Sequence, residues 1–162
     1  GLPPRSIEVV VNGGIDADIA NAIFTKKSAG IETFGTTLVV VTDSQGISHN
    51  VRFSRPLPAN VYLIYDVESN SDWSADSITL MKRAAVAYIG GVDDQSVEYN
   101  GVGNGGTITA WKLIAIQSEI KGINNLTVKL SRTSDPTESE NLAFLTRELP
   151  RAIMANIMVN VI

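Results

Sequence analysis

The chain contains no cysteine and only one histidine, His49, among its 162 residues. Without cysteine there is no disulfide, no thiol nucleophile and no cysteine-ligated metal site. A single histidine cannot supply a histidine-rich metal site, and a catalytic dyad built on it would need serine or threonine as the nucleophile. No G-x-S-x-G motif is present. We therefore interpret His49, which lies between Ile47 and Val51, as a packed or strand-edge histidine.

Basic residues are sparse and scattered. Thirteen Lys and Arg residues face seventeen Asp and Glu residues, which gives a net charge of -4, and no basic run exceeds the pairs Lys26-Lys27 and Lys82-Arg83. Nucleic-acid partners usually require a clustered basic face, so we predict no such partner. No apolar run approaches the roughly 20 residues that cross a bilayer, so we also predict no membrane partner.

Acidic pairs and a glycine-rich segment are the remaining candidates for chemistry. The pairs are Asp16/Asp18 at a helix start, and Asp93/Asp94 and Glu138/Glu140 in polar loops. Neither a glycosidase arrangement nor an EF-hand spacing follows from them. Residues 101–106, GVGNGG, could offer backbone amides to an anion, but the Gly-Lys-Ser/Thr ending of a phosphate loop is missing. We interpret this segment as a mobile loop and predict no enzyme activity, cofactor, metal or small-molecule substrate.

The pattern along the chain predicts an α+β fold with two small lobes. The first lobe, residues 1–69, is β-α-β-β-β. Its strands cover 6–11, 36–42, 47–54 and 61–67, and the second of these is apolar on both sides, as in a central strand. Its helix is capped by Asp16, ends at Gly30 and places Ile15, Ile19 and Ile23 on one face.

The second lobe, residues 70–162, begins at the polar junction 70–74. Ser74 or Asp76 caps a helix that Gly90-Gly91 ends. A second helix runs from Thr107 to Gly122 and is apolar on most sides, so we expect it to be covered. Strands are predicted at 126–132 and 157–161, a polar loop at 134–141, and irregular chain at 151–155 because Pro150 disfavours a continuing helix.

Four residues are candidates for contacts with a partner: Arg52, Arg55, Trp73 and Asn104. Arg52 and Arg55 flank Phe53 and could dock the carboxylates of a partner, or they could be the solvated end of a strand. Both alternatives stay open. Trp73, together with Trp111 and the 101–107 loop that holds Asn104, would serve a second hypothesis, an adhesion or ligand-binding module. An enzyme acting through Asp93, Asp94 or His49 ranks last.

Residues 1–56 carry an ordered series of motifs. They read GLPPRSIEVVVNGG, then DIANAIF at 18–24, KSAGIETFG at 27–35 and VRFSRP at 51–56. In this order they resemble the baseplate J-like family of contractile-tailed phages and related injection machines. That family has a strand ending in Gly-Gly, an alanine-rich helix, a Pro/Ser-Ala-Gly-Ile-x-Thr-x-Gly turn and a strand pair ending in Phe-x-Arg-Pro. Residues 57–162 match only in outline, with Arg147-Glu148-Leu149-Pro150 and Ile157-Met158-Val159 similar to the family's ending.

The resemblance implies a structural subunit of a tail baseplate, assembled in the cytoplasm of a bacterial host. Its partners would be other wedge proteins and further copies of itself in a ring. Family members usually have a longer amino-terminal region, so the resemblance also implies that this chain is a carboxy-terminal portion. The family's pattern supplies no catalytic residue.

Overall fold

The structure, a computed structural model, describes residues 2–137 and 140–162. Its fold is α+β, as predicted, and the chain divides into two compact units. The first unit ends at Leu57 and the second runs from Pro58 to Ile162. The boundary therefore lies earlier than the predicted one at 69/70, because the strand Tyr62–Ser69 pairs with two strands of the second unit.

The first unit contains four strands and one helix. Its elements are β1 (Ser6–Glu8), α1 (Asp16–Lys26), β2 (Glu32–Phe34), β3 (Thr37–Thr42) and β4 (Ser48–Phe53). Strands β1 and β2 are parallel, and β3 and β4 form an antiparallel hairpin. The predicted helix and the strands predicted at 6–11, 36–42 and 47–54 are present, but β1 ends at Glu8, and α1 ends at Lys26 instead of Gly30 because Lys27 is already extended. Strand β2 was missed because three residues give no readable alternation.

The core of the first unit lies between α1 and the β3–β4 hairpin, and its buried residues are Ala20, Ile23, Val41, Val51 and Phe53. Two predictions are wrong here. Asp16 does not cap α1, since the N-cap is Ile15, whose side chain is 68% exposed. Strand β3 is not central, because within the described residues it pairs with β4 alone and exposes Leu38 and Val40.

The second unit holds two helices and most of the strands. Helix α2 spans Ala75–Ile89 and α3 spans Ala110–Ala115. The strands are β5 (Leu57–Asn60), β6 (Tyr62–Ser69), β7 (Gly91–Val92), β8 (Glu98–Tyr99), β9 (Thr107–Ile108), β10 (Ile123–Ser131), β11 (Leu142–Ala143), β12 (Glu148–Ile153) and β13 (Ile157–Val161). Strand β6 is the middle strand of a three-stranded sheet, in which it is antiparallel to β10 and parallel to β13.

The core of the second unit packs α2 and α3 against β6. Tyr65 on β6 is fully buried, and its hydroxyl donates to the carbonyl of Leu113 at 3.4 Å. The buried amide of Gln117 donates in turn to that hydroxyl at 3.2 Å and to the carbonyl of Met81 at 3.3 Å. Burial raises the pKa of Tyr65, so this hydroxyl stays protonated and available as a donor.

The boundaries of α2 are as predicted. Ser74 is its N-cap, with its amide donating to the Ser77 hydroxyl, and Gly90 ends it with φ of 105°. The predicted helix from Thr107 to Gly122 is instead the short strand β9 followed by α3. The expectation that other elements cover this helix is also wrong, because Trp111 is 63% exposed.

The carboxy-terminal part also differs from the prediction. Residues 151–153 are not irregular but belong to β12, which passes through Pro150 and is followed by a short 3-10 turn, Met154–Asn156. On the β7 side the proline costs no ladder hydrogen bond, because β12 pairs with β7 only beyond it, at Ala152 and Ile153. Strand β13 confirms the predicted terminal strand. Glu138 and Ser139, which belong to the predicted polar loop 134–141, lie outside the described residues. Of the acidic pair Glu138/Glu140, only Glu140 is therefore described. Among the helices of the described chain, none has the length and apolar character needed to span a bilayer.

The first prediction concerns the close approach of Gly35 to β4. A Cβ at residue 35 would overlap the backbone carbonyl of Phe53. Gly35→Ala should therefore destabilise the first unit by about 3 kcal/mol, as overpacking against immovable backbone does. The control is Gly46→Ala, where φ is 81° but no atom lies within 4 Å of the new Cβ, so that a cost of about 1 kcal/mol is expected.

Both tryptophans and all four tyrosines lie in the second unit, so their fluorescence does not follow the first. Hydrogen exchange of amides in residues 2–57, read by mass spectrometry, isolates the first unit. Equal exchange protection in the two variants would contradict the close packing of Gly35.

Candidate interaction surface

The four candidate residues fall in different units: Arg52 and Arg55 in the first, Trp73 and Asn104 in the second. The structure gives each of them a different environment. In the first unit, Arg52 lies within β4 and Arg55 follows the strand by two residues.

Arg55 is a clamp inside the first unit. Its guanidinium donates to the carbonyls of Val11 at 3.1 Å and Gly14 at 2.9 Å, to the carbonyl of Gly13, and to the carboxylate of Asp16. The guanidinium also lies 5.2 Å from the ring centre of Phe53. The Arg55 guanidinium is therefore not a free, solvated strand end, because carbonyls and a carboxylate of its own unit take up its donors.

The sequence around the clamp explains its geometry. Gly13 and Gly14 have φ of 70° and 78°, a left-handed conformation that glycine adopts without a Cβ penalty. Two consecutive residues of this kind turn several carbonyls toward one point, where the planar, multi-donor guanidinium can bind them together. The Gly-Gly and Phe-x-Arg-Pro motifs, about 40 residues apart in the chain, are thus joined in one hydrogen-bonded contact.

Arg52 remains a candidate for contact with a partner. It lies on the exposed face of β4, and within the described residues its guanidinium has no hydrogen-bond or ion-pair partner. It lines a polar cavity of about 330 Å³, whose other lining residues are Lys27, Ile31, Glu32, Thr33, His49 and Asn50. The cavity therefore combines two cationic side chains with the carboxylate of Glu32.

His49 is a packed histidine, which confirms its interpretation. Its Nε2 lies 2.8 Å from Oδ2 of Asp43, and its ring centre lies 4.8 Å from that of Phe24. Asp43 also accepts from the amides of Gln45 and Ile47, which closes the β3–β4 turn. The hydrogen bond from His49, followed by that from Ile47, holds the pKa of Asp43 below its ordinary value.

An apolar groove lies between β1 and α1. It encloses about 430 Å³ and is lined almost wholly by carbon, from Ile7, Val9, Val11, Ile19, Ala22 and Ile23, with Lys26 and Lys27 completing it. The sequence pattern did not predict this groove. The alternation of Ile7, Val9 and Val11 was a readable signal that these side chains share a face, but it implied a filled core rather than an open one.

In the second unit, Trp73 and Asn104 are both half-buried. Trp73 is half-buried and packs against the main core, with its backbone pressed on Gly122. Asn104 is half-buried in the glycine-rich segment, which hydrogen bonds tie to α2 and β12 through Val102 to Ile89 and Gly105 to Glu148. The exposed aromatic residue is Trp111 instead.

The remaining acidic candidates are engaged within the second unit. Asp93 is buried and accepts from the amides of Gln95 and Val97 and from the hydroxyl of Tyr99. Asp94 forms a two-bond ion pair with Arg83, whose hydrogen bonds lower the pKa of Asp94. Within residues 2–137 and 140–162, no group of three or more His, Asp or Glu side chains is placed to hold a metal ion.

Comparison with known proteins adds no assignment. No protein-family model matches the chain, and no curated protein matches it.

The second prediction tests the Arg55 clamp. Arg55→Lys keeps the charge but loses the planar fork, so several carbonyls and the Asp16 carboxylate lose donors at once. We expect the first unit to lose about 1–3 kcal/mol of unfolding free energy. Arg52→Lys is the matched control, since it lies three residues away without a described partner, and it should change stability by less than about 0.5 kcal/mol. Hydrogen exchange of residues 2–57 reads both, and equal effects would refute the clamp.

The third prediction concerns acid sensitivity at Asp43. A carboxylate whose pKa is lower in the folded than in the unfolded state contributes stability above the unfolded value, about 3.9, and loses it as the pH falls through the folded value. Asp43→Asn should therefore be less stable than the wild type at pH 6, with the difference shrinking as the pH falls through the folded-state pKa of Asp43. Hydrogen-exchange protection of the first unit, followed in both proteins from pH 6 downward, measures this difference in stability. A difference that stays constant with pH would contradict the His49–Asp43 interaction.

Proposed function

We propose that this chain is a structural subunit of a contractile-tail baseplate, of a phage, a prophage or a related injection machine. It acts by presenting surfaces to neighbouring wedge proteins during tail assembly in the bacterial host. The observation that carries the proposal is the ordered motif series of residues 1–56. These motifs coincide with the parts that build the first unit.

Each motif has an architectural role. The Gly-Gly turn and the arginine of Phe-x-Arg-Pro form the Arg55 clamp. In the turn after the helix, the amide of Ile31 donates to the carbonyl of Ser28 at 3.3 Å, and Lys27 Nζ donates to the carbonyl of Ile31 at 3.1 Å. Gly35 permits the close approach to Phe53. These motif residues stabilise the fold of the first unit and do not hold a reacting atom. This property supports a role in assembly.

The ending that is similar to the family's is also architectural. Glu148 receives two hydrogen bonds from Arg132, at 2.7 and 2.9 Å, and one from the amide of Leu145. The first of these interactions is the main cause of the lowered pKa of Glu148. Leu149 and Pro150, which follow it, are buried. This end of the chain is therefore fixed by the same kind of contact as the beginning.

The first unit also exposes apolar side chains where a partner could bind. Leu38 and Val40 stand on the outer face of the β3–β4 hairpin, 46% and 58% exposed, beside Asn50 and Arg52 on the facing strand. Apolar side chains with an arginine among them are typical of the cores of protein interfaces. This surface favours protein partners over nucleic acid, membrane or a small substrate.

A second candidate function, an adhesion or ligand-binding module, rests on Trp111. Its indole is 63% exposed, and Lys112 Nζ lies 5.6 Å from the ring centre. An exposed indole can stack on a sugar ring through the apolar face of the sugar. A glycan array would favour this alternative if it returned specific binding that Trp111→Ala abolishes.

The fourth prediction tests the baseplate proposal in the parent genome. Deleting the gene should leave particles without finished tails, scored by electron microscopy and by infectious titre. Supplying the wild-type gene from a plasmid should restore both. Normal tails in the deletion strain would refute the proposal.

A further inference from the structure

We infer that the groove between β1 and α1 is a docking site for a segment of a neighbouring assembly protein, one that carries apolar side chains followed by a carboxylate. The inference rests on the proposed function, since it names the chemistry of a partner. It stands on three observations in the first unit: an unfilled apolar groove, cationic side chains at one end of it, and an arginine without a described partner nearby.

The groove is apolar and incompletely filled. Ile7, Val9, Val11 and Ile19 are only half-buried, although together they form a continuous carbon surface around about 430 Å³. That volume accommodates one or two large side chains. Leaving this much apolar surface in water is unfavourable, and covering it would remove that cost.

The charge at one end of the groove determines which partner fits. Lys27, which follows the last residue of α1, lines the polar cavity with Thr33 of β2, and Thr33 pairs with Ile7 of β1, so the last turn of α1 lies near the Ile7 end of the groove. Lys26 and Lys27 line the groove at this last turn. Lys27 Nζ already donates to the carbonyl of Ile31, but an apolar segment without a charge would offer neither ammonium group a counter-charge, whereas a carboxylate would supply one.

The polar cavity extends the same end of the groove. Lys27 lines both the groove and the cavity, and Arg52 lines the cavity beyond it. The cavity's other titratable groups are Glu32 and His49, which is hydrogen-bonded to Asp43, and the Arg52 guanidinium has no partner within the described residues. Lys26, Lys27 and Arg52 thus form a cationic end to an apolar groove, a match for aliphatic or aromatic side chains with Asp or Glu after them.

Ala22 is the position from which to test the groove. It lies on α1, is exposed and lines the groove, so a larger side chain there enters the groove without displacing the core. Ala17 is an exposed alanine of the same helix that does not line it. Glutamine is a good helix former at both positions, so the two substitutions should be equally compatible with the helix itself.

The fifth prediction compares Ala22→Gln with Ala17→Gln in the deletion strain. A glutamine amide buried against the partner's apolar side chains would lack a hydrogen-bond partner, so Ala22→Gln should lower the titre and the number of finished tails by about tenfold or more. Ala17→Gln should restore both fully. The two purified variants should unfold at the same temperature as the wild type, which separates docking from folding.

The identity of the occupant is read by photocrosslinking in assembled tails. A benzophenone amino acid at residue 22 should crosslink to a neighbouring subunit, and the crosslinked peptide should contain apolar residues and an Asp or Glu within a few positions. The same amino acid at residue 17 should not give that peptide. Lys26→Glu should then impair assembly, and reversing the partner's carboxylate to lysine should restore it.

The outcomes separate this inference from the proposed function. If the deletion strain lacks tails but Ala22→Gln restores them as well as the wild type does, the groove is not a docking site although the protein is an assembly part. A crosslinked peptide without an acidic residue would overturn the stated chemistry of the partner. A crosslinked peptide from the core of a second copy of this chain would overturn it as well. Normal tails in the deletion strain would refute both proposals together.

Discussion

The first unit depends on one interaction, the binding of the Arg55 guanidinium to the turn between β1 and α1. Three carbonyls, from Val11, Gly13 and Gly14, and the Asp16 carboxylate share its donors. The contact joins residues that are about 40 positions apart and fixes the start of the helix against the end of β4. Charge-assisted hydrogen bonds of this kind are stronger than neutral ones and directional, so the clamp also sets the angle at which α1 leaves the strand.

The clamp has a consequence for the surface. It holds Asp16, the first residue of α1, close to the carbonyl of Val11, which belongs to one wall of the groove. Ala20 and Ile23 pack toward the hairpin and are buried. Ala22 lies on the neighbouring face of α1 and lines the apolar groove, which stays open. The same frame carries Lys26 and Lys27 to one end of that groove. The feature that we propose to meet a partner is therefore produced by the residues that stabilise the unit.

Much of this fold was predictable from local patterns, and the failures have physical reasons. Helix α2 was found because Ser74 and Gly90 mark its ends chemically, and β6 and β10 because their alternation is long. The role of Arg55 could not be predicted, because carbonyl groups appear in every residue and no sequence pattern shows where they converge. Trp111 was placed in a covered helix because its neighbours are apolar, yet α3 is only six residues long and turns the indole outward. The groove was missed because an apolar stripe looks the same in sequence whether it is filled or open.

The central claim is that this protein works through the surfaces that it offers to other subunits. Electron cryomicroscopy of the assembled parent particle tests it most directly, because the first unit can be recognised by its helix and hairpin. The account predicts density for this chain in the tail baseplate, with the groove between β1 and α1 filled by a segment of an adjacent protein. A baseplate without this chain, or one in which the groove faces solvent in every copy, would contradict it.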